Sequence, residues 1–291
     1  MSALTPYFIY LVEVESIASS IGSVLYGIYA VIAVLSLYSL ASLGKELTFG
    51  RRFLFVVISI MLLFDTINTA SGIYFVAHDI RTFGGTFHAE ATRVLTLADS
   101  AFVKINYFLS DLVIVWRAWS IFEPKSSSIR LGLIFCVCVS LGAVFADIAI
   151  EIQSTQNLSS KFMMGLMLTR LILPCALWVT NTVATFLIAL QTWKFHKLSK
   201  FENENRSIKL LTRVLLLMTE SGFLYSLIWI VVIIDITGKL TYEAQYLLTN
   251  IIPHITGLYP CLMVLLVNFQ KRRYDDMHLT TWSTSPHVST V

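Results

Sequence analysis

The chain has 291 residues, of which 56% are apolar and only 13% charged, with a formal net charge of +3. Soluble domains carry about 25% charged residues, so half that share cannot cover a globule of this size, and a typical soluble enzyme and a disordered chain are both excluded. A charge of +3 is too small to point to nucleic acid, while a mean hydropathy of +0.73 points to a polytopic protein whose first partner is the lipid bilayer.

A membrane span needs about 20 predominantly apolar residues. Seven stretches qualify, after an exterior N-terminal segment 1–16 that contains Glu13 and Glu15. The first, 16–44, has no charge, and it lacks the basic flank and cleavage site of a signal peptide. The second, 53–77, carries only Asp65. The third, 98–122, is the most diluted, with Asp99, Lys104, Asp111 and Arg117 in an aromatic, apolar run. The fourth, 131–150, is uncharged as far as Asp147, and the fifth, 171–193, starts beside Arg170. The sixth, 211–235, holds Arg213, Glu220 and Asp235, and the seventh, 244–270, is uncharged. The predicted fold is all-α: a bundle of seven transmembrane helices over 17–270, followed by a polar cytoplasmic tail, 271–291, expected to be disordered.

Basic residues orient the spans. One set of connections holds Lys45, Arg51, Arg52, Lys125, Arg130, Lys194, Lys197, Lys200, Arg206, Lys209, Lys271, Arg272 and Arg273; the other holds only Arg81, Arg93, Lys161 and Lys239. The rich set reads as cytoplasmic, which puts the N-terminus outside and the C-terminus inside. Asn157-Leu158-Ser159 is a glycosylation sequon on the predicted exterior side, whereas Asn205-Arg206-Ser207 falls in a cytoplasmic loop. Trp116, Trp119 and Trp193 close spans at the cytoplasmic headgroup level. The basic stretch 194–209 either obeys the positive-inside bias alone or also meets anionic lipid or a signalling partner.

Cys136, Cys138, Cys175 and Cys261 all lie in apolar runs, so no exterior disulfide is available, and they read as packing residues. Of the six histidines only His254 lies in a span, which leaves no metal-ligand cluster. No cofactor is indicated; in particular the seventh span has no Lys for a retinal Schiff base.

Three stretches carry a resemblance when taken together. They are Asp111-Leu112-Val113-Ile114-Val115-Trp116-Arg117-Ala118-Trp119, Glu220-Ser221-Gly222-Phe223-Leu224-Tyr225-Ser226 and Gly257-Leu258-Tyr259-Pro260. The chain, from about residue 20 to 270, resembles a large uncharacterised family of seven-helix membrane proteins expanded in mushroom-forming fungi. Where that family often has Thr and Arg after the seventh-helix Pro, this chain has Cys261 and Leu266. The resemblance implies the topology and a fungal source, and no activity.

Ionisable side chains at mid-bilayer cost roughly 2.5–3.5 kcal/mol each on insertion scales and usually face the bundle interior. At about 1.5 Å of rise per residue, Asp65, Asp111, Asn181, Glu220, Asn250 and His254 can share one layer. Asp65 and Asn68 are spaced i, i+3, and Asn250 and His254 i, i+4, so each pair shares a helix face. Gly222 invites close helix approach, from which Glu220 is expected to face the bundle. Nearer the exterior, Lys104, Asp147, Glu151, Arg170 and Asp235 form a candidate charge cluster in which pairing is expected. Arg117 is expected to snorkel at the cytoplasmic end of the third span, as an anchor or as a contact to another helix end.

Two readings of the polar set stand side by side: interhelical hydrogen bonds that fix the bundle, or an outward-open cavity that holds a small ligand at Asp65, Asn68, Asp111, Asn181, Glu220, Asn250 and His254. A receptor-like protein fits the topology. A transporter or channel fits the midplane carboxylates and the prolines at 174, 253 and 260. An intramembrane, cyclase-like enzyme acting on a lipid-like substrate would use the same carboxylates as acids. The membrane is expected to be the plasma membrane or another of the secretory pathway.

The orientation is directly testable. In sealed microsomes a C-terminal tag should be digested by added protease, and Asn157→Gln should abolish a glycosidase-sensitive shift. A protected tag reverses the topology.

Overall fold

The computed structural model describes residues 6–42, 48–82, 89–122, 127–154, 169–201 and 206–283. Among the described residues there are seven helices: α1 (Pro6–Ser42), α2 (Phe49–Thr82), α3 (Ala89–Ile121), α4 (Ser127–Ser154), α5 (Ile172–Phe201), α6 (Arg206–Ile236) and α7 (Tyr242–Ser283). Six are long and apolar enough to cross a membrane; α3 has the length but falls short in apolar content. Hydrocarbon offers backbone groups no partner, so spans that satisfy their own hydrogen bonds are the expected solution.

Neighbouring helices alternate in direction: along α3 and α4, Lys104 meets Asp147 while Asp111 meets Ser140, and along α6 and α7, Ser221 meets Met263 while Tyr225 meets Tyr259. The Tyr26 hydroxyl meets Thr66 Oγ1 at 2.8 Å between α1 and α2. Phe64 and Phe102 stack between α2 and α3, and Ser140 of α4 reaches Asp111 of α3. Asn181 of α5 bonds Ser226 of α6, and Ser221 of α6 meets Met263 of α7. α1 and α7 run parallel, with Ser36 Oγ donating to the Cys261 carbonyl at 2.9 Å and Asn268 Nδ2 to Ser39 Oγ at 3.0 Å. The starts of α1, α3, α5 and α7 therefore share one end of the bundle, called here the N-terminal end.

The core has two main parts. Ile114, Ala118, Leu133, Leu177, Ile188, Leu215, Tyr225 and Trp229 fill the space among α3, α4, α5 and α6. Tyr29, Ala33, Ile58, Cys261 and Val264 join α1, α2 and α7. α3 lies between them and packs on α2, α4, α5 and α7. That shielding is why α3 needs less apolar surface than a lipid-facing span: Val113, Ile114, Val115, Arg117 and Ala118 are all buried.

Small residues set the closest approaches. A Cβ on Gly222 of α6 would sit 2.4 Å from Thr185 Oγ1 on α5, and one on Gly257 of α7 would sit 2.8 Å from the Tyr29 ring on α1. α6 ends at Ile236 and is capped by Gly238, whose φ of 70° suits a left-handed helix cap; its N–H returns to the Asp235 carbonyl at 2.9 Å. α7 runs unbroken through Pro253 and Pro260 to Ser283. The polar tail thus begins as helix rather than as disordered chain, since no Gly or Pro stops it before Ser283. The sequons at Asn157 and Asn205 lie outside the described residues.

The contact at Gly222 gives a clean test. Gly222→Ala should push α5 and α6 apart and cost about 1–3 kcal/mol, read as a lower melting temperature in detergent. Adding Thr185→Ala should return most of that loss; a double variant as unstable as Gly222→Ala refutes the steric account.

Candidate functional site

Two adjoining cavities occupy the N-terminal half of the bundle. The first, about 380 Å³, lies among α2 to α7 and is lined by Lys104, Tyr107, Asp147, Glu151, Arg170 and Trp229 among others. The second, about 340 Å³, lies among α1, α2, α3 and α7 and is lined by Glu15, Ser19, Gly22, Asn250 and His254 among others. Asn68, Thr96, Asp99 and Thr249 line both, so they form two lobes of one site.

The first lobe holds a triad of charges. Lys104 Nζ lies 2.7 Å from Asp147 Oδ2 and also meets Glu151, whose Oε2 accepts a 2.7 Å bond from Ser100. α3 supplies Lys104 and Ser100 one turn apart, and α4 presents Asp147 and Glu151 at i, i+4. Tyr107 and Trp229 meet edge to face at 5.4 Å. Arg170 is exposed, and Asp235 lies outside both lobes, its carbonyl taken by Gly238 N–H and Gln245. The expected cluster of five therefore resolves into the Lys104–Asp147–Glu151 triad, with Arg170 at the rim and Asp235 apart.

The floor of the second lobe is a buried histidine–carboxyl pair. His254 Nδ1 lies 2.7 Å from Asp65 Oδ2, with the two side chains 4% and 1% exposed. Such burial makes the pair costly to break, because either partner left alone would be an uncompensated buried group. The Tyr26 ring packs 5.9 Å from the imidazole. Gly22 admits the α7 backbone, since a Cβ there would stand 3.0 Å from the Asn250 carbonyl.

Beneath the floor the bundle is stitched shut. Pro260 has no N–H for the carbonyl four residues back, which is that of Thr256; Ser110 Oγ of α3 donates to it at 2.9 Å. Tyr225 donates to Ser110 Oγ at 3.2 Å and stacks on Tyr259 at 4.6 Å. The Arg117 guanidinium lies 5.1 Å from the Tyr259 ring centroid. Arg117 is only 6% exposed, so its role is contact with α7 rather than snorkelling alone.

The predicted ligand set therefore divides. Asn68, Asn250 and His254 line the cavity, with Asp65 directly behind His254. Asp111 is buried among α3, α4 and α5, where Ser140 bonds it at 3.1 Å and Thr180 at 2.9 Å bonds Ser140. Asn181 ties α5 to α6 through the Gly222 carbonyl and Ser226. Glu220 does not face the bundle: it is exposed. A residue two positions from Gly222 sits about 200° around a helix, so a buried Gly222 turns Glu220 outward. Asp99, which joins the lobes, was not among the predicted ligands; it was legible only as one of four charges on the third span.

Among the described residues no group of three or more His, Cys, Asp or Glu is placed to hold a metal ion. No known protein family's sequence pattern matches the chain, and no curated protein matches it.

The Arg117–Tyr259 contact predicts coupling. Arg117→Met and Tyr259→Leu should each lower the melting temperature, and the double variant should lose less than their sum by about 0.5–2 kcal/mol. Strict additivity would show that the two side chains do not interact.

Proposed function

We infer that this chain is a receptor-like membrane protein that binds a small ligand in the two-lobed cavity. The observation that carries the reading is one-sidedness. The cavity lies in the N-terminal half, while the layer from Asp65–His254 down to Arg117–Tyr259 is packed and hydrogen-bonded. On the basic-residue asymmetry the cavity faces the exterior, and Arg117 and the stretch 194–209 face the cytoplasm, where a signalling partner would dock. The resemblance to the seven-helix proteins of mushroom-forming fungi accords with this topology.

α7 is the element that would carry a signal. Its cavity residues Thr249, Asn250 and His254 lie on the same helix as Thr256 and Tyr259, which hold α3 and α6 in place. A ligand that shifts α7 at His254 changes the strain on those contacts without opening a passage. A transporter must instead expose this layer to each side in turn, and the same layer would have to part for an ion channel.

Cysteine accessibility separates the readings. In intact cells, Thr249→Cys should react with a membrane-impermeant maleimide well above the background of the parent's four free cysteines. Thr256→Cys, fully buried, should react from neither face of sealed vesicles of either orientation. Labelling of Thr256→Cys from the cytoplasmic side would replace the receptor reading with alternating access.

A further inference from the structure

The first lobe contains two charges of opposite sign that no ion pair among the described residues takes up. Lys104 is taken up by Asp147 and Glu151. Asp99 and Arg170 line the same lobe, and neither forms an ion pair among the described residues. Asp99 Oδ1 is buried with no protein partner; Ser71, the hydrogen-bonding neighbour of this carboxyl, is neutral and cannot balance its charge. A half-buried carboxylate without a counter-charge is costly, and this one lines the cavity.

Around these charges the wall is apolar and aromatic, from Tyr107, Leu173, Trp229 and Val232. Pro253 removes the donor to the Thr249 carbonyl four residues back, which adds a hydrogen-bond acceptor on a residue that, like Asp99, lines both lobes. A lone cation would satisfy Asp99 and leave Arg170 opposed to it. A lone anion would satisfy Arg170 and meet three carboxylates against one other cation. We propose that the cavity takes a small aromatic zwitterion of the amino-acid type, its ammonium on Asp99 and the Thr249 carbonyl, its carboxylate on the Arg170 guanidinium, and its ring against Tyr107 and Trp229. Arg suits the last role because its planar fork pairs with carboxylate in bidentate fashion. A lobe of about 380 Å³ lies within the usual range for such ligands.

The inference rests on the cavity being a ligand site, and the probes are chosen to separate the two. Three molecules share one indole ring: tryptophan carries both charges, tryptamine only the ammonium, and indole-3-propionate only the carboxylate. Dissociation constants are measured on the full chain in nanodiscs. Tryptophan should bind at least about tenfold more tightly than either relative, a difference of one decade in Kd. Asp99→Asn should abolish binding of tryptophan and tryptamine alike, Asp99→Glu should restore part of it, and Arg170→Gln should reduce tryptophan to the level of tryptamine. Melting curves of each variant confirm that it is folded. Equal binding of tryptophan and tryptamine, unaffected by Arg170→Gln, would overturn the zwitterion in favour of a cation; preference for indole-3-propionate would overturn it in favour of an anion. No binding of any of the three would overturn it outright, and the ligand cavity itself would still be judged by the labelling of Thr249→Cys and Thr256→Cys.

Discussion

α3 carries four ionisable side chains along a span where lipid would give none of them a partner, and the bundle is arranged around that constraint. Each charge is met differently. Lys104 is held by two carboxylates of α4. Asp111 accepts from Ser140. Arg117 lies on the face of Tyr259. Asp99 faces the cavity. Only a helix shielded on several sides can do this, which is why α3 packs against α2, α4, α5 and α7. The same arrangement fixes where the polar cavity can form: the charges nearest the start of α3 are the ones that open into it.

The number of spans was legible because six of them obey a length and hydropathy rule that needs no tertiary knowledge. α3 was legible for a weaker reason, its aromatic and apolar run between charges, and its low hydropathy is now explained by its central place. Partnerships across the bundle were not legible. Asp65 and His254 are 189 positions apart in the chain, and no spacing rule links them. Ser140 and Thr180 are ordinary residues in apolar runs until they meet Asp111.

Glu220 shows the opposite failure, because the sequence contained the answer and a looser argument overrode it. Inward positions on α6 follow Leu215, Gly222, Tyr225 and Trp229, at helical spacings of seven, three and four. Glu220 falls outside that stripe, next to the exposed Leu216, Phe223 and Leu224. Nearness to Gly222 suggested that it should be inside; periodicity places it outside.

Proline chemistry ties the cavity to the rest of α7. Each proline inside the helix removes one N–H and so frees a carbonyl four residues back. In lipid a freed carbonyl needs another donor. At Thr256 the donor is Ser110, a side chain of α3, and that bond locks α7 to the central helix. At Thr249 the residue lines both lobes, and the donor proposed for its carbonyl is the ligand. The two freed carbonyls stand seven residues apart, about 10 Å along the axis, with His254 and its bond to Asp65 between them. A ligand bound as proposed would act on the same stretch of helix that the lower one holds in place. Coupling between the cavity and the Arg117 end therefore requires no motion larger than a shift of this segment against α3, whereas a passage would require the Ser110–Thr256 bond, the Tyr225–Tyr259 stack and the Arg117 contact to give way together.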